Sequence, residues 1–503
     1  MDQPHTPAIA PPMQPEPPRP PAPRPPDPGS RRGALVAWLV LLVSLPVVVA
    51  LQQLEAAETP EADPAAIAAP AGDQVEIAAR LGARAAFSLG QGGGQFQGQV
   101  DAAVQRPVDR LRAAIAAGQL VGVDEAADRL DRLAEDFRDP EGGLAELDPA
   151  KADRLRLDAE LLAGYYNELA AGADAEPLDV DTVDGFIERH GFFGELVGIA
   201  HEAPEADARE RLLGGALGPL LLLFGCLVAM GLAVLSGLAL GVVALVRVAG
   251  GVVPLRMERP GAGGSVYLES AVAFVVGFAL LVGAQAIAGA IGSPAVEIVG
   301  LLALPAQWLL LLCPLWPLLR GVSWRRIKDD LGLRAPRGVL VEVGAGLVGY
   351  LALLPLLLVG IAVMIALLLL QEILLPGDPE AAAPVNPILE LVKSLDPLTL
   401  VLFFTLATVW APLCEELVFR GALLRHLRSR IAFLPLAAVL SALVFGLMHG
   451  YQALQLIPVT VLGFNFALLR AWRGSLIAPI VAHFLNNFVV LTMLVAMAFL
   501  LYG

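Results

Sequence analysis

Apolar residues in this chain are gathered into long runs and do not alternate with polar ones. After Leu212, eight runs follow one another at roughly 214–246, 267–292, 297–319, 339–370, 398–419, 433–450, 453–469 and 475–501. A ninth extends from Gly33 to about Leu51, just behind Arg31 and Arg32. Each is close to, or longer than, the ~20 residues a helix needs to cross hydrocarbon. The pattern predicts an all-α fold, a polytopic transmembrane helical bundle of about nine spans. The 214–246 run has the length for one tilted helix or for a helix with a re-entrant part.

Between the first run and the rest the period changes. Windows at 108–117, 124–137 and 149–171 carry apolar residues at helical spacing, with Leu155, Leu157, Leu161, Leu162, Tyr165 and Leu169 forming one stripe. The Gly/Gln-rich stretch 90–98 reads as a loop. The chain thus divides into a proline-rich tail (1–33), a transmembrane anchor (34–52), a small helical insert (53–212), additional transmembrane helices (213–320) and a core (321–503).

Composition sharpens this picture. Hydrophobic residues make up 56% and charged residues 17%, with a mean hydropathy of +0.67. A soluble domain carries about 25% charged residues, so most of the length is not a soluble enzyme. Positions 1–33 hold 13 of the 40 prolines, a composition for an extended tail and not a packed core. The leader ahead of the first run is too long for a secretory signal. Ser30-Arg31-Arg32 is only a faint twin-arginine pattern, so an uncleaved anchor is expected. Cys226, Cys313 and Cys414 lie apart in apolar surroundings and read as buried small hydrophobes.

The formal net charge is −15, unevenly placed. From Glu55 to Arg211 there are 33 acidic and 14 basic residues, which leaves 16 and 20 for the remainder. No basic stripe suggests a nucleic-acid partner. With the tail in the cytoplasm, alternate loops hold Arg247, Arg256 and Arg259; Arg320, Arg325, Arg326, Lys328, Arg334 and Arg337; Arg425, Arg428 and Arg430; and Arg470 and Arg473. Beyond the insert, only Lys393 falls outside. The positive-inside rule therefore places the N-terminus in the cytoplasm, and the insert and C-terminus outside. A bacterial inner (plasma) membrane is the expected location.

Ionisable groups inside apolar spans are costly and mark function by default. Glu415, Glu416 and Arg420 fall in one run, His449 at the far end of the next, and His483, Asn486 and Asn487 in the last. Glu415 and His449 each lie about 25 Å from the tip of their hairpin at 1.5 Å rise per residue, and His483 about 15 Å beyond its own turn. The tip, with Arg425, His426, Arg428 and Arg430, is expected to project into water. All three functional groups then reach one level. Glu416 and Arg420, four apart, can pair, and His483 shares a helix face with Asn487.

A carboxylate and an imidazole in a desolvated pocket can hold and deprotonate a water, while a second imidazole and an amide can stabilise an oxyanion. The same carboxylate with both imidazoles (Glu415, His449, His483) could ligate zinc. No H-E-x-x-H sequence occurs. Two other classes remain open: a non-hydrolytic membrane scaffold or immunity protein, and a transporter using the same groups as a proton relay.

The Glu415-Glu416-x-x-x-Arg420, Phe445-x-x-x-His449 and His483-x-x-x-Asn487 motifs, each on its own span, resemble the signature of the CAAX-protease and bacteriocin-processing (Abi-type) intramembrane endopeptidases. The stretch 324–333 resembles that family's pre-core loop. The resemblance covers about 321–500, leaving out tail and insert. It implies Glu415 as water-activating base assisted by His449, His483 and Asn487 as oxyanion site, and Glu416 and Arg420 as orienting groups. It implies a membrane-associated protein or peptide as substrate, and leaves zinc or a metal-free glutamate mechanism both open.

Overall fold

The structure, a computed structural model, describes residues 26–57, 74–90, 93–139, 142–145, 147–172, 176–202, 206–253, 256–257, 259–261, 263–292, 295–374 and 397–502. Among these every regular element is helical: the chain is a polytopic α-helical bundle, an integral membrane protein. Lys393, Asp396 and most of the proline-rich tail lie outside the described residues.

Among the described residues, six helices are long and apolar enough to cross a membrane. They comprise α1 (Arg31–Ala57); α10 (Leu217–Ala249); α11 (Val266–Ile291); α15 (Val339–Leu374); α16, running continuously over Pro397–Arg430; and α19 (Ile477–Tyr502). The other three expected spans are also helical, with departures. The 297–319 run breaks into α12 (Ala295–Gln307), a 3-10 turn (Trp308–Leu315) and α13 (Trp316–Leu319). Pro305, Pro314 and Pro317 lie within it, and each removes a backbone donor. Next, α17 (Leu434–Leu447) has only 14 residues, short of the ~20 that cross hydrocarbon. Finally, α18 (Leu456–Arg473) begins three residues later than its apolar run. The short α14 (Trp324–Leu331) is capped by the Ser323 hydroxyl, which accepts from the Arg326 N–H, and ends at Gly332 in the left-handed region.

The insert folds as α2 (Gln74–Leu89), α3 (Gly94–Ala102), α4 (Pro107–Leu120), α5 (Val123–Arg138), α6 (Pro149–Ala170), α7 (Val180–His190), α8 (Phe192–Gly198) and α9 (Asp207–Leu213). These helices enclose an apolar core of their own around Leu111, Ile115, Leu130, Tyr166, Phe186 and Phe193. The stretch expected to be a loop at 90–98 becomes helical from Gly94, where α3 buries Val100 and Gln97 against α4. The insert rests on the end of α19, with Arg80 donating to the Leu501 carbonyl at 3.4 Å and stacking over the Phe192 ring.

One polar cluster in the insert sets its response to acid. His190 is fully buried and donates from Nε2 to Asp158 at 2.9 Å, and Arg189 adds two bonds to the same carboxylate. Burial holds the imidazole pKa below its ordinary value in spite of the carboxylate. For Asp158, burial acts upward, but the bonds from His190 and Arg189 outweigh it and keep that carboxyl low. The unfolded chain takes up a proton at His190 below about pH 6.5, and at Asp158 below about pH 4. The folded insert resists both, so its stability falls as pH drops through each value. Acidification from pH 7.5 to 5 is therefore expected to speed hydrogen–deuterium exchange in α6 to α8, after correction for intrinsic rates. Unchanged protection would contradict this.

The membrane body is organised around α16. Trp410, Phe419 and Phe445 are buried at its centre, and Phe419 meets Phe274 of α11 and Phe445 of α17 edge-on. α1 packs along α11, and its Trp38 ring lies 5.8 Å from His426. The hairpin tip expected to stand in water is instead covered. His426 is buried, Arg425 is bound by both oxygens of Asp27 and by Asp330, and Arg428 donates to the Ile431 and Ala432 carbonyls. The cause is the tail's last described segment, which folds back: Ser265 N–H donates to the Pro28 carbonyl at 3.0 Å.

Candidate active site

Two stretches of α16 widen into π-helix, Leu406–Trp410 and Glu416–Leu423. Pro412 between them has no N–H for the Thr408 carbonyl, so regular α pairing is lost there. Such widened turns re-aim side chains and gather at functional sites. Here they present Glu415, Glu416 and Arg420 to the bundle interior.

Glu416 and Arg420 are both completely buried and pair at 2.9 Å. The same Oε1 that accepts from Arg420 Nη1 also accepts from His483 Nδ1 at 3.0 Å. Arg420 donates further to the Gly463 carbonyl at 3.0 Å and lies 4.2 Å from the Phe445 ring. Gly463 allows this approach, because a Cβ there would come within 3.0 Å of the guanidinium. The expected pair is thus present, and it is also the anchor for a histidine.

The Glu416 bond fixes the His483 tautomer. With Nδ1–H donated to a carboxylate, Nε2 carries a lone pair. That Nε2 stands 3.9 Å from Glu415 Oε2. This is too long for a direct hydrogen bond, and short enough for one solvent molecule to touch both atoms. Glu415 Oε2 is itself buried with no hydrogen-bond partner among the described residues. Phe466 stacks on the His483 ring at 4.8 Å and holds its plane.

His449 sits just past the end of α17. Its Nδ1 donates to the Phe445 carbonyl at 2.8 Å, so its Nε2 is likewise bare. Its ring lies 4.6 Å from Phe445 and 6.2 Å from Tyr451, stacked on the latter. Among the described residues it makes no hydrogen bond to Glu415 or His483. Asn487 lies one turn along α19 from His483 and donates from Nδ2 to the Ala407 carbonyl at 2.8 Å, which leaves the second N–H of that amide uncommitted. The carboxylates and His483 are therefore in register, His449 is joined to them through the Phe445 ring, and Asn487 is turned toward the first π segment. No three His, Cys, Asp or Glu side chains among the described residues converge as metal ligands. The donor set as placed therefore does not fit zinc.

Two residues near the site come from outside the segment that carries the motifs. Gln52 and Gln53, at the end of α1, donate to the Met448 and Gly450 carbonyls at 3.0 and 3.3 Å. They flank His449. Gly450 has φ +69°, and a Cβ there would crowd Gln52 at 3.2 Å. A polar Gln-Gln pair closing an apolar run was the only available signal. Ser441 donates to the Phe419 carbonyl inside the π segment, which pins α17 against it.

Residues 397–489 match the family model described as type II CAAX prenyl endopeptidase Rce1-like. The matched segment contains Glu415, Glu416, Arg420, His449, His483 and Asn487. A protein of Bacillus subtilis (strain 168) named "Putative membrane peptidase YdiL" is 32% identical over 94 residues, covering 18% of this chain and 38% of that protein. No solved structure matches.

Proposed function

We propose, from the likeness of residues 397–489 to CAAX-type endopeptidases, that this chain is an intramembrane endopeptidase. It cleaves a membrane-associated protein or peptide with a water held between Glu415 and His483. The observation that carries this reading is the double use of Glu416 Oε1 by Arg420 and His483. A carboxylate so committed is an orienting group, which leaves Glu415 as the free base.

In this reading the water donates one hydrogen to Glu415 Oε2 and another toward His483 Nε2, directing an oxygen lone pair at the scissile carbonyl. Glu415 takes the proton as the oxygen attacks. The tetrahedral oxyanion receives the second N–H of Asn487, while His483 Nε2 keeps accepting the hydrogen bond of the hydroxyl that the attacking water has become. Collapse breaks the C–N bond, and the proton on Glu415 passes to the departing amine. By the same likeness, His449 is the residue that assists Glu415. The enzyme lies in a bacterial inner membrane, with the N-terminus cytoplasmic and the insert and C-terminus outside, as the placement of arginines suggests.

The test is release of new C-termini in membrane fractions, with and without a zinc chelator. Cleavage that survives the chelator fits the carboxylate mechanism. A scaffold would release none, and a transporter would show pH-driven flux in its place. Gln52→Leu is expected to lower turnover about fivefold with KM little changed. The loss of one hydrogen bond, about 1 kcal/mol, would be felt at His449 and hence in the barrier. Wild-type turnover in Gln52→Leu would remove Gln52 as a positioning residue.

A further inference from the structure

At the basic end of the bundle, α14, the last turn of α18 and the segment leading to α11 surround an open cleft of about 220 Å³. Arg256, Arg334, Arg425, Arg470 and Arg473 line it, against Asp329 and Asp330. Most of these charges are already matched. Arg334 pairs with Asp329 at 3.0 Å, Arg425 with Asp27 and Asp330, and Arg473 with both oxygens of the buried Glu342 at 2.8 Å. Arg256 and Arg470 are not matched, and neither has an acidic partner among the described residues.

Arg470 is the unusual one. It is only 4% exposed, its Nε is buried without a partner, and its side chain makes no hydrogen bond or ion pair among the described residues. Its guanidinium lies against Gly332, where any Cβ would come within 2.7 Å of three guanidinium atoms. The left-handed turn of Gly332 and the Leu476 N–H bond to its carbonyl hold that surface in place. A buried cation without a counter-charge is strongly unfavourable, and one that faces a cleft calls for an anion from outside.

We propose that this cleft binds a phosphate group, with Arg470 and Arg256 as its ligands. Two guanidinium forks suit the oxygens of a tetrahedral anion. The cleft also sits at the end of membrane-spanning helices, the depth at which lipid phosphates lie. The phosphodiester of an anionic lipid headgroup and free phosphate share this chemistry. The site is separate from Glu415 and does not depend on the protease reading.

The test uses the full chain in neutral detergent, titrated with short-chain phosphatidylglycerol in one arm and inorganic phosphate in the other. Binding and the thermal unfolding midpoint are both followed. Saturable binding of the lipid that raises the midpoint is expected. Arg470→Gln and Arg256→Gln should each weaken it roughly tenfold, the loss of one charged hydrogen-bonding partner, while Arg430→Gln, at an exposed arginine that does not line the cleft, should leave it unchanged. Inorganic phosphate that binds with the same Arg470 dependence supports the site and identifies the free anion as its source. Without either probe, Arg470→Gln should melt no lower than wild type, since it relieves an unmatched charge. A lower midpoint without ligand, titrations insensitive to both substitutions, or binding only of a carboxylate-terminated peptide would overturn the proposal.

Discussion

Glu415→Gln is expected to cut peptide-bond hydrolysis roughly a thousandfold, the scale of a lost general base, while the protein folds as before. Gln keeps the shape of the side chain and removes its capacity to take a proton. Glu415 makes no hydrogen bond to its neighbours that the amide would break, since its Oε2 faces only the 3.9 Å gap to His483 Nε2. Substrate binding should persist, so kcat falls and KM does not follow. The measurement is the rate of new C-terminus formation, with wild type and variant at matched abundance in the membrane. Retained cleavage in the variant would remove Glu415 as the base.

The second large effect is on stability. Arg420→Met should destabilise the membrane body by about 3–5 kcal/mol, the penalty for leaving one member of a buried ion pair alone. Glu416 would keep only the His483 bond, and the Gly463 carbonyl would lose its donor. The double variant Glu416→Gln/Arg420→Met should recover much of that loss, because neither charge is then stranded. Thermal unfolding of the two single variants and the double variant in detergent closes this cycle. Additive losses would mean that the pair does not act as a unit. The double variant should still be slow, since without the Glu416 carboxylate His483 has no fixed tautomer.

Much of this site was legible in the sequence because ionisable residues in apolar runs stand out. Helix rise put Glu415, His449 and His483 at one level, and the four-residue spacing put Glu416 beside Arg420; the bond from His483 to Glu416 was not foreseen. What could not be read was the local widening of α16. On a regular helix Glu415 points about 100° away from Glu416, whereas the π turns let both carboxylates address opposite nitrogens of one imidazole. The relation of Asn487 to His483 was legible only as spacing. It carries no sign that Asn487 already spends one N–H on Ala407. Hydropathy located the apolar runs but not their breaks, since the effect of Pro305, Pro314 and Pro317 depends on packing. The basic hairpin tip misled for a related reason. Arginines read as water-facing until a distant segment supplies partners, and Asp27 is 398 residues from Arg425. The contacts of Gln52 with the His449 loop are equally non-local and left no pattern to find.

The claim at the centre is that Glu415 and His483 grip one water molecule while Glu416 and Arg420 hold the imidazole. The most direct measurement is an experimental density map of the protein at a resolution that shows ordered solvent. The account predicts one peak within hydrogen-bond distance of both Glu415 Oε2 and His483 Nε2, with His483 Nδ1 on Glu416. A metal ion at about 2.0–2.2 Å from those atoms, or a Glu415 side chain turned outward to lipid, would contradict it.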